Sequence, residues 1–484
     1  MVGEAQARKR LVEAPEGERQ IVSDVREFDV VVLGAGPGGE ACAGRLGEAG
    51  LSVALIERDL VGGECAFYAC MPSKALLRPA EALAEARRVS GAAEAAGGEI
   101  DLRAVLDRRD EIVHNLDDSG QLPWLEDRGT VLVRGDGELA GERVVRVGDD
   151  ELRARRAVIL APGSTALIPP IPGLEEADPW TNREATTAEA LPRSLVVLGG
   201  GVVGVEMAQA YASLGTRVTL VSVYPRLIAG EEEFASVLLR EALEDLGVEM
   251  ILGVKPTVVQ REAVEEGPRG PVTVELEDGR SFAGEEILVA VGRRPNTDAL
   301  GLESIGLEPG TSVEVKDTMQ VPGHEWLYVV GDANGRVMLT HMGKYQARLA
   351  ADHILGRPVS LRSDGPLSPR VIFTEPQVAA VGHTLESALK AGLNAHAVEV
   401  ETEGNAGGTF IGHGAPGTCR IVVDDDRGVL VGATFTGVEV AESLHAATIA
   451  LIGEVPLERL AHAVPCFPTR SEIWLKLLEA YARL

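Results

Sequence analysis

Cys65 and Cys70 stand in the run Gly62-Gly63-Glu64-Cys65-Ala66-Phe67-Tyr68-Ala69-Cys70-Met71-Pro72-Ser73-Lys74. Two thiols that close into a disulfide can store and release two electrons. On a regular helix, residues five apart are separated by about 7.5 Å along the axis. The Cα atoms of a disulfide rarely stand more than about 7 Å apart. A bonded pair at this spacing therefore requires a distorted helix start, and the strain makes the bond reducible. Pro72 favours a first helical turn at Cys70. A thiol at a helix N-terminus near a cation such as Lys74 has a lowered pKa and is reactive. The alternative is a pair of unrelated small core residues.

The elements that must position this run are legible on either side of it. Phe28 to Leu33 is an apolar, β-branched strand that enters Gly34-Ala35-Gly36-Pro37-Gly38-Gly39. A helix follows through Ala49, then a strand from Ser52 to Ile56 that ends at Glu57. This is a βαβ unit with glycines Gly34, Gly36 and Gly39 at the tight turn. Gly36 lets the backbone approach a pyrophosphate, and the helix N-terminus supplies free N–H groups. Glu57 is placed to accept hydrogen bonds from a ribose diol.

The pattern recurs. A strand Leu195 to Leu198 enters Gly199-Gly200-Gly201-Val202-Val203-Gly204, a helix runs to about Leu214, and a strand Arg217 to Val221 follows. Gly199, Gly201 and Gly204 repeat the three glycine positions, so the chain carries two nucleotide sites; the competing reading is a degenerate duplicate kept for folding. At the position of Glu57 the second unit has Ser222. A carboxylate there repels a 2′-phosphate, so its absence permits NADPH as well as NADH. The nearest arginine, Arg226, lies beyond Val223-Tyr224-Pro225 and is either a phosphate ligand or a loop cap.

The chain has 484 residues, enough for three or four domains. With 46 Lys and Arg against 74 Asp and Glu, the net charge is −28. Such a surface repels phosphate backbones and excludes nucleic acid as a partner. Five cysteines (Cys42, Cys65, Cys70, Cys419, Cys466) spread over this length suit a reducing cytoplasm with one special pair rather than a secreted disulfide scaffold. Residues 1–26 are charged and lack an apolar core, and are expected to be a flexible extension. No run is long and apolar enough for membrane insertion. Helices are expected over about Ala75 to Ala96 and Leu102 to Asn115, and Pro169-Pro170-Ile171-Pro172-Gly173 reads as an interdomain linker.

The sequence from Phe28 to its C-terminus resembles the flavoprotein disulfide reductases related to dihydrolipoamide dehydrogenase, glutathione reductase and mercuric reductase. The resemblance rests on GAGPGG, the C-x4-C-x-P-S-K run, GGGVVGVE, VGRRPN, VVGDAN and FPTRSE, in that order. It implies an α/β fold with two Rossmann-type domains, for FAD and NAD(P)H, and a C-terminal α+β dimerisation domain. The expected division is 27–165 for the first part of the FAD domain, 166–289 for the NAD(P) domain, 290–358 for the second FAD and central part, and 359–484 for dimerisation. The resemblance implies a homodimer. It places FAD on the first fingerprint with Glu57, Gly63, Gly163 and the Gly331-Asp332 segment, and NAD(P)H on the second with Ser222, Arg226 and Gly292. Cys65 would meet substrate and Cys70 would sit against the flavin. Lys74 would pair with Glu206 beside it, and Asp332 would bond the ribityl chain.

One departure bears on the chemistry. Thiol-active members carry a histidine in a His-Pro-Thr-x-x-Glu run that reaches across the dimer to Cys65. Here the run is Phe467-Pro468-Thr469-Arg470-Ser471-Glu472. A positioned general acid/base is worth roughly 100- to 10,000-fold in rate, and Phe467 cannot be one. Candidate replacements are Cys466 as a third redox thiol, Glu472 through a water, and His445 or His462, although a histidine on the apolar Val440–Leu451 stretch is expected to be packed. No metal site is indicated. The leading expectation is an FAD enzyme passing electrons from NAD(P)H through Cys65 and Cys70 to a disulfide or related small-molecule acceptor. Alternatives are direct flavin-mediated reduction of a quinone or other acceptor, and a non-catalytic lipoamide-dehydrogenase-like subunit of a complex.

Overall fold

The computed structural model describes residues 25–264 and 269–483; the expected N-terminal extension lies outside it as far as residue 24. Strand β1 (Val25–Leu33) begins the first unit, and its last residues are buried on both faces. Helix α1 (Pro37–Glu48) starts directly after the glycine turn, with Pro37 in its first turn. Strand β2 (Val53–Glu57) returns parallel to β1, Val30 opposite Val53 and Leu33 opposite Ile56. Continuous apolar runs of this kind suit strands covered on both faces.

Two helices carry the thiols: the short α2 (Gly63–Phe67) and the 19-residue α3 (Cys70–Arg88). α3 stops short of the expected Ala96, because Val89 leaves the helical region and Gly91 turns at φ +94°. The next helix, Leu102–Ile112, ends before His114, Asn115 and Leu116, which all have positive φ. Strands β3 (Thr130–Arg134) and β4 (Asp150–Leu160) join the sheet, β3 beside β2 and β4 beside β1, both parallel.

The chain then leaves this sheet to build a second one. Strand β5 (Ser194–Leu198), helix α4 (Val202–Ser213) and strand β6 (Arg217–Ser222) repeat the first unit. Their parallel sheet runs Glu249–Leu252, β6, β5, Glu286–Val289. The chain returns through strand β7 (His324–Val329), which pairs parallel with β4 and completes the first sheet. The second unit is thus an insertion in the first. Its two crossings are clipped together as a short antiparallel ribbon, Ser164–Ala166 against Arg293–Pro295. Helix α5 (Thr340–Ile354) follows and packs on α1, where the Cys42 thiol donates to the Ala347 carbonyl.

The last segment forms a five-stranded antiparallel sheet, ordered Arg370–Ile372, Gln377–Gly382, Val429–Gly437, Thr418–Asp424, Ala395–Glu401. Helices Leu444–Ile452 and Ile473–Tyr481 cover it around a core of Phe435, Leu444, Trp474 and Leu477. Among the described helices, none is long and apolar enough to cross a membrane.

Candidate active site

The thiol segment is seated by glycine. Gly62 and Gly63 adopt φ +113° and +60°, a region that penalises any side chain. A Cβ on Gly63 would lie 2.8 Å from the Gly36 Cα. The start of α2 therefore rests on the first fingerprint turn. The helix breaks after Phe67, with Tyr68 and Ala69 at φ −130° and −136°, and restarts at Cys70. This break is the distortion that the five-residue spacing demands. It lets the Cys65 thiol donate a hydrogen bond to Cys70.

That hydrogen bond sets the two thiols apart. It is the largest influence lowering Cys70, to about 6, against the opposing effect of burial; Thr340 and the Lys74 ammonium push the same way, and Glu206 pushes back. The Cys70 Sγ lies 3.6 Å from the Thr340 Oγ1. Cys65, as the donor, is raised, with burial adding to the effect; Thr340 and Lys344 oppose it. One sulfur is thus a thiolate near neutral pH while the other keeps its proton.

Lys74, one turn into α3, donates to the Glu206 Oε2 at 2.6 Å. Glu206 sits on α4 only 3% exposed, and its other oxygen accepts from the Phe373 N–H at 2.9 Å. Lys74 also lies over the Phe373 ring, 4.7 Å from its centroid. One ion pair therefore joins the thiol helix, the second nucleotide unit and the C-terminal segment.

Both fingerprints have the shape a dinucleotide needs. A Cβ on Gly34 would meet the Ala161 carbonyl at 2.2 Å, and one on Gly39 the Gly34 carbonyl at 1.8 Å, so helix and strand close tightly there. Gly36 faces open space, and the α1 N-terminus has no side-chain cap. The second turn repeats this: Gly199 against the Ala290 carbonyl at 2.3 Å, Gly204 against the Gly199 carbonyl at 1.9 Å, Gly201 open. Uncapped N–H groups beside an open glycine suit a pyrophosphate in each unit. Glu57 is buried at the end of β2 and accepts from the Ala35 N–H at 2.7 Å. Ser222 is buried and accepts from the Tyr224 N–H, while Arg226 is occupied by the carbonyls of Ala229 and Glu231, as a loop cap. Gly163 and Gly292, at φ +70° and +141°, flank the two crossings.

A cluster that the motifs did not reveal holds the segment from outside. Asp332 accepts from the Ser164 hydroxyl at 2.5 Å, and Ser164 accepts from the Arg293 Nε at 2.7 Å. Arg293 also donates to Glu64 at 2.9 Å and to the Asn182 side chain at 3.0 Å. Glu64 accepts further from the Arg183 Nε at 2.6 Å and from Asn182 at 3.0 Å. Asn182 and Thr186 donate to the Tyr68 carbonyl, exactly where the helix is broken. Asp332 and Arg293 stand in motifs the sequence shows, VVGDAN and VGRRPN, but nothing in the sequence joins them to Glu64, Asn182 or Arg183.

The C-terminal residues stand apart within the chain. Phe467 is 77% exposed and Cys466 is exposed, with no hydrogen bond to the Cys65–Cys70 pair among the described residues. The Glu472 Oε2 is buried with no partner among the described residues. His445 and His462 are both exposed. For His445 this corrects the expectation of a packed histidine: it falls on the outward side of Leu444–Ile452, whose inner side is Leu444, Ala447 and Leu451.

Comparison with known proteins adds the family. A family model described as pyridine nucleotide-disulphide oxidoreductase matches residues 28–347, and its dimerisation domain matches residues 368–478. A dihydrolipoyl dehydrogenase of Haloferax volcanii is 31% identical over 476 residues, covering 95% of this chain and 97% of its own. A mercuric reductase of Staphylococcus aureus is 27% identical, covering 92% and 81%. Among solved structures, LpdA from Mycobacterium tuberculosis superposes with a TM-score of 0.82 at 25% identity, covering 95% of this chain and 99% of its own. The HOCl-induced flavoprotein disulfide reductase RclA from Escherichia coli shares the fold, with a TM-score of 0.81 at 23% identity over 93% and 99%.

Proposed function

We propose, for a chain that belongs to the pyridine nucleotide-disulphide oxidoreductase family, that electrons pass from NAD(P)H through FAD and the Cys65–Cys70 pair to a disulfide or a related small-molecule acceptor. As a family member the protein is an FAD-dependent oxidoreductase. When bound, FAD supplies the two-electron chemistry between nicotinamide and thiols. The first glycine turn, Glu57 and Asp332 would hold FAD, and the second turn with Ser222 would hold the nicotinamide cofactor. In this reading 27–165 and 290–358 carry FAD, 166–289 carries the nicotinamide cofactor, and 359–484 brings two subunits together as a homodimer. Five cysteines with one functional pair suit the cytoplasm.

The observation that carries this reading is geometric: Cys65 and Cys70 come together across the break between α2 and α3, with the Lys74–Glu206 ion pair one turn beyond them. The Cys70 pKa is lowered beside the Lys74–Glu206 pair, as suits a sulfur that donates charge to an electron-poor flavin. Lys74 keeps a positive charge there, and Glu206 anchors it. Cys65 retains its proton and is the sulfur available for exchange with an acceptor. Cys65→Ser should abolish disulfide reduction while reduction of the bound flavin by NAD(P)H survives. Full turnover in that variant would sink the thiol route.

A second reading is favoured by Phe467. With no histidine in the tail, a flat apolar acceptor such as a quinone could take electrons without the thiols. Activity toward menadione-type quinones that is unaffected by Cys65→Ser, together with no activity toward lipoamide or small disulfides, would establish it.

A further inference from the structure

Pro72 acts on the residue one turn before it. In an unbroken helix the Tyr68 carbonyl would accept the N–H of residue 72. Proline has none, and its ring would press on that carbonyl. The chain breaks between α2 and α3, and the Tyr68 carbonyl is left to find a partner outside the helix. Without one, a carbonyl in this half-buried turn would cost free energy. Asn182, at the start of the helix Asn182–Thr187 and only 6% exposed, supplies the bond. Its Nδ2 donates to the Tyr68 carbonyl at 2.8 Å. The Thr186 hydroxyl lies 3.1 Å from the same oxygen and 2.8 Å from the Asn182 carbonyl, with one proton to share between them.

The same amide holds the other side of Cys65. Nδ2 also donates to the Glu64 Oε2 at 3.0 Å, and Oδ1 accepts from the Arg293 guanidinium at 3.0 Å. Both amide protons and the amide oxygen are engaged, so the side chain has one orientation. Arg183, the next residue, donates from Nε to Glu64 at 2.6 Å and lies 4.2 Å from the centroid of the Tyr68 ring. Glu64 and Tyr68 bracket Cys65. That thiol cannot swing away from Cys70 without breaking these contacts.

We propose that Asn182 is a positioning residue for the redox pair: by bonding the Tyr68 carbonyl and Glu64, it keeps Cys65 within bond-forming reach of Cys70 and makes the dithiol a stronger reductant. The inference rests on the disulfide-reducing reading. In that reaction the Cys65–Cys70 bond forms and two electrons leave the pair. An acceptor disulfide RS–SR′ takes both, its S–S bond breaks, and it gains one proton from Cys65 and one from solvent. Two electrons from NAD(P)H and one proton then reopen the Cys65–Cys70 bond. Thiols already held together lose little freedom on closing, which favours the disulfide. Thiols free to part lose more, and the equilibrium moves toward the dithiol. Asn182 is neutral, so its loss changes this geometry without removing a charge from beside Cys70.

The test uses the FAD-loaded protein, equilibrated anaerobically in buffers of reduced and oxidised dithiothreitol. Samples are quenched in acid and alkylated, and the fraction holding the Cys65–Cys70 disulfide is read by mass spectrometry, with flavin content as the folding control. Asn182→Ala should move the equilibrium about tenfold toward the dithiol, a potential about 30 mV less negative. Thr186→Val keeps the shape and loses the hydroxyl, and should move it the same way by about threefold. Glu286→Gln, which breaks a pair with Arg261 in the same inserted unit, should leave the equilibrium unchanged. A wild-type equilibrium in flavin-loaded Asn182→Ala, or in Thr186→Val where Asn182→Ala does not fold, overturns the proposal. An equal shift in Glu286→Gln overturns it too, as general loosening. Failure of the disulfide reading shows elsewhere, as full turnover in Cys65→Ser, and leaves this thiol equilibrium as expected.

Discussion

Cys70 holds its charge through neighbours that can be removed one at a time. The Cys65 hydrogen bond, Thr340 and Lys74 lower it; Glu206 and burial raise it. Above about pH 6 the reduced enzyme should therefore show thiolate absorbance, lost as pH falls through that value. Lys74→Gln should move the midpoint up, and Glu206→Gln should move it down, since that carboxylate opposes the thiolate. A midpoint that ignores both changes would remove these residues from control of the thiol. Glu206→Gln should also cost about 1–3 kcal/mol in urea unfolding, because it strips the counter-charge from a largely buried pair. At the second turn, Ser222→Glu should raise KM for NADPH about tenfold or more while leaving NADH nearly unchanged, as a carboxylate there faces the 2′-phosphate. Steady-state kinetics with the two cofactors measure it. Arg226 is spent on carbonyls, so Arg226→Gln should loosen its loop without abolishing NADPH use.

Elements are where the sequence spoke most clearly and where it also stopped. Both βαβ units, their turns and their order could be read from glycine spacing and apolar runs, because those signals are local. The distortion between Cys65 and Cys70 could be read too, from the mismatch between helical rise and disulfide reach. The clamp on that distortion could not. Glu64, Asn182, Arg183 and Arg293 are separated by over a hundred residues at most of their contacts, 118 from Glu64 to Asn182 and 229 from Glu64 to Arg293. No periodicity links positions so far apart. The seat of α2 gives a direct test. Gly63→Ala places a methyl 2.8 Å from the Gly36 Cα at φ +60°. It should destabilise the fold by about 1–3 kcal/mol and release FAD, seen as lost flavin colour after gel filtration. Normal flavin content would show that the two turns can separate without consequence.

The whole molecule is acidic, yet its C-terminal segment exposes Phe410, Ile449, Val464 and Phe467. Apolar groups on that segment fit burial against a second copy, as its match to the dimerisation domain indicates. Ile449→Glu should shift the protein toward monomer in sedimentation velocity, and more so at low salt, where the −28 charges of two subunits repel most strongly. An unchanged sedimentation coefficient would place the contact elsewhere. Glu472, with a buried oxygen that has no partner among the described residues, lies in the same segment.

The ribbon of Ser164–Ala166 against Arg293–Pro295 sets the entry and exit of the second nucleotide unit side by side. A module with adjoining ends behaves as a cartridge: it can be swapped for another of similar footprint without rethreading the host sheet. Coenzyme preference can then drift, by mutation or by graft, while the sulfur chemistry on the other side of the clip stays as it was.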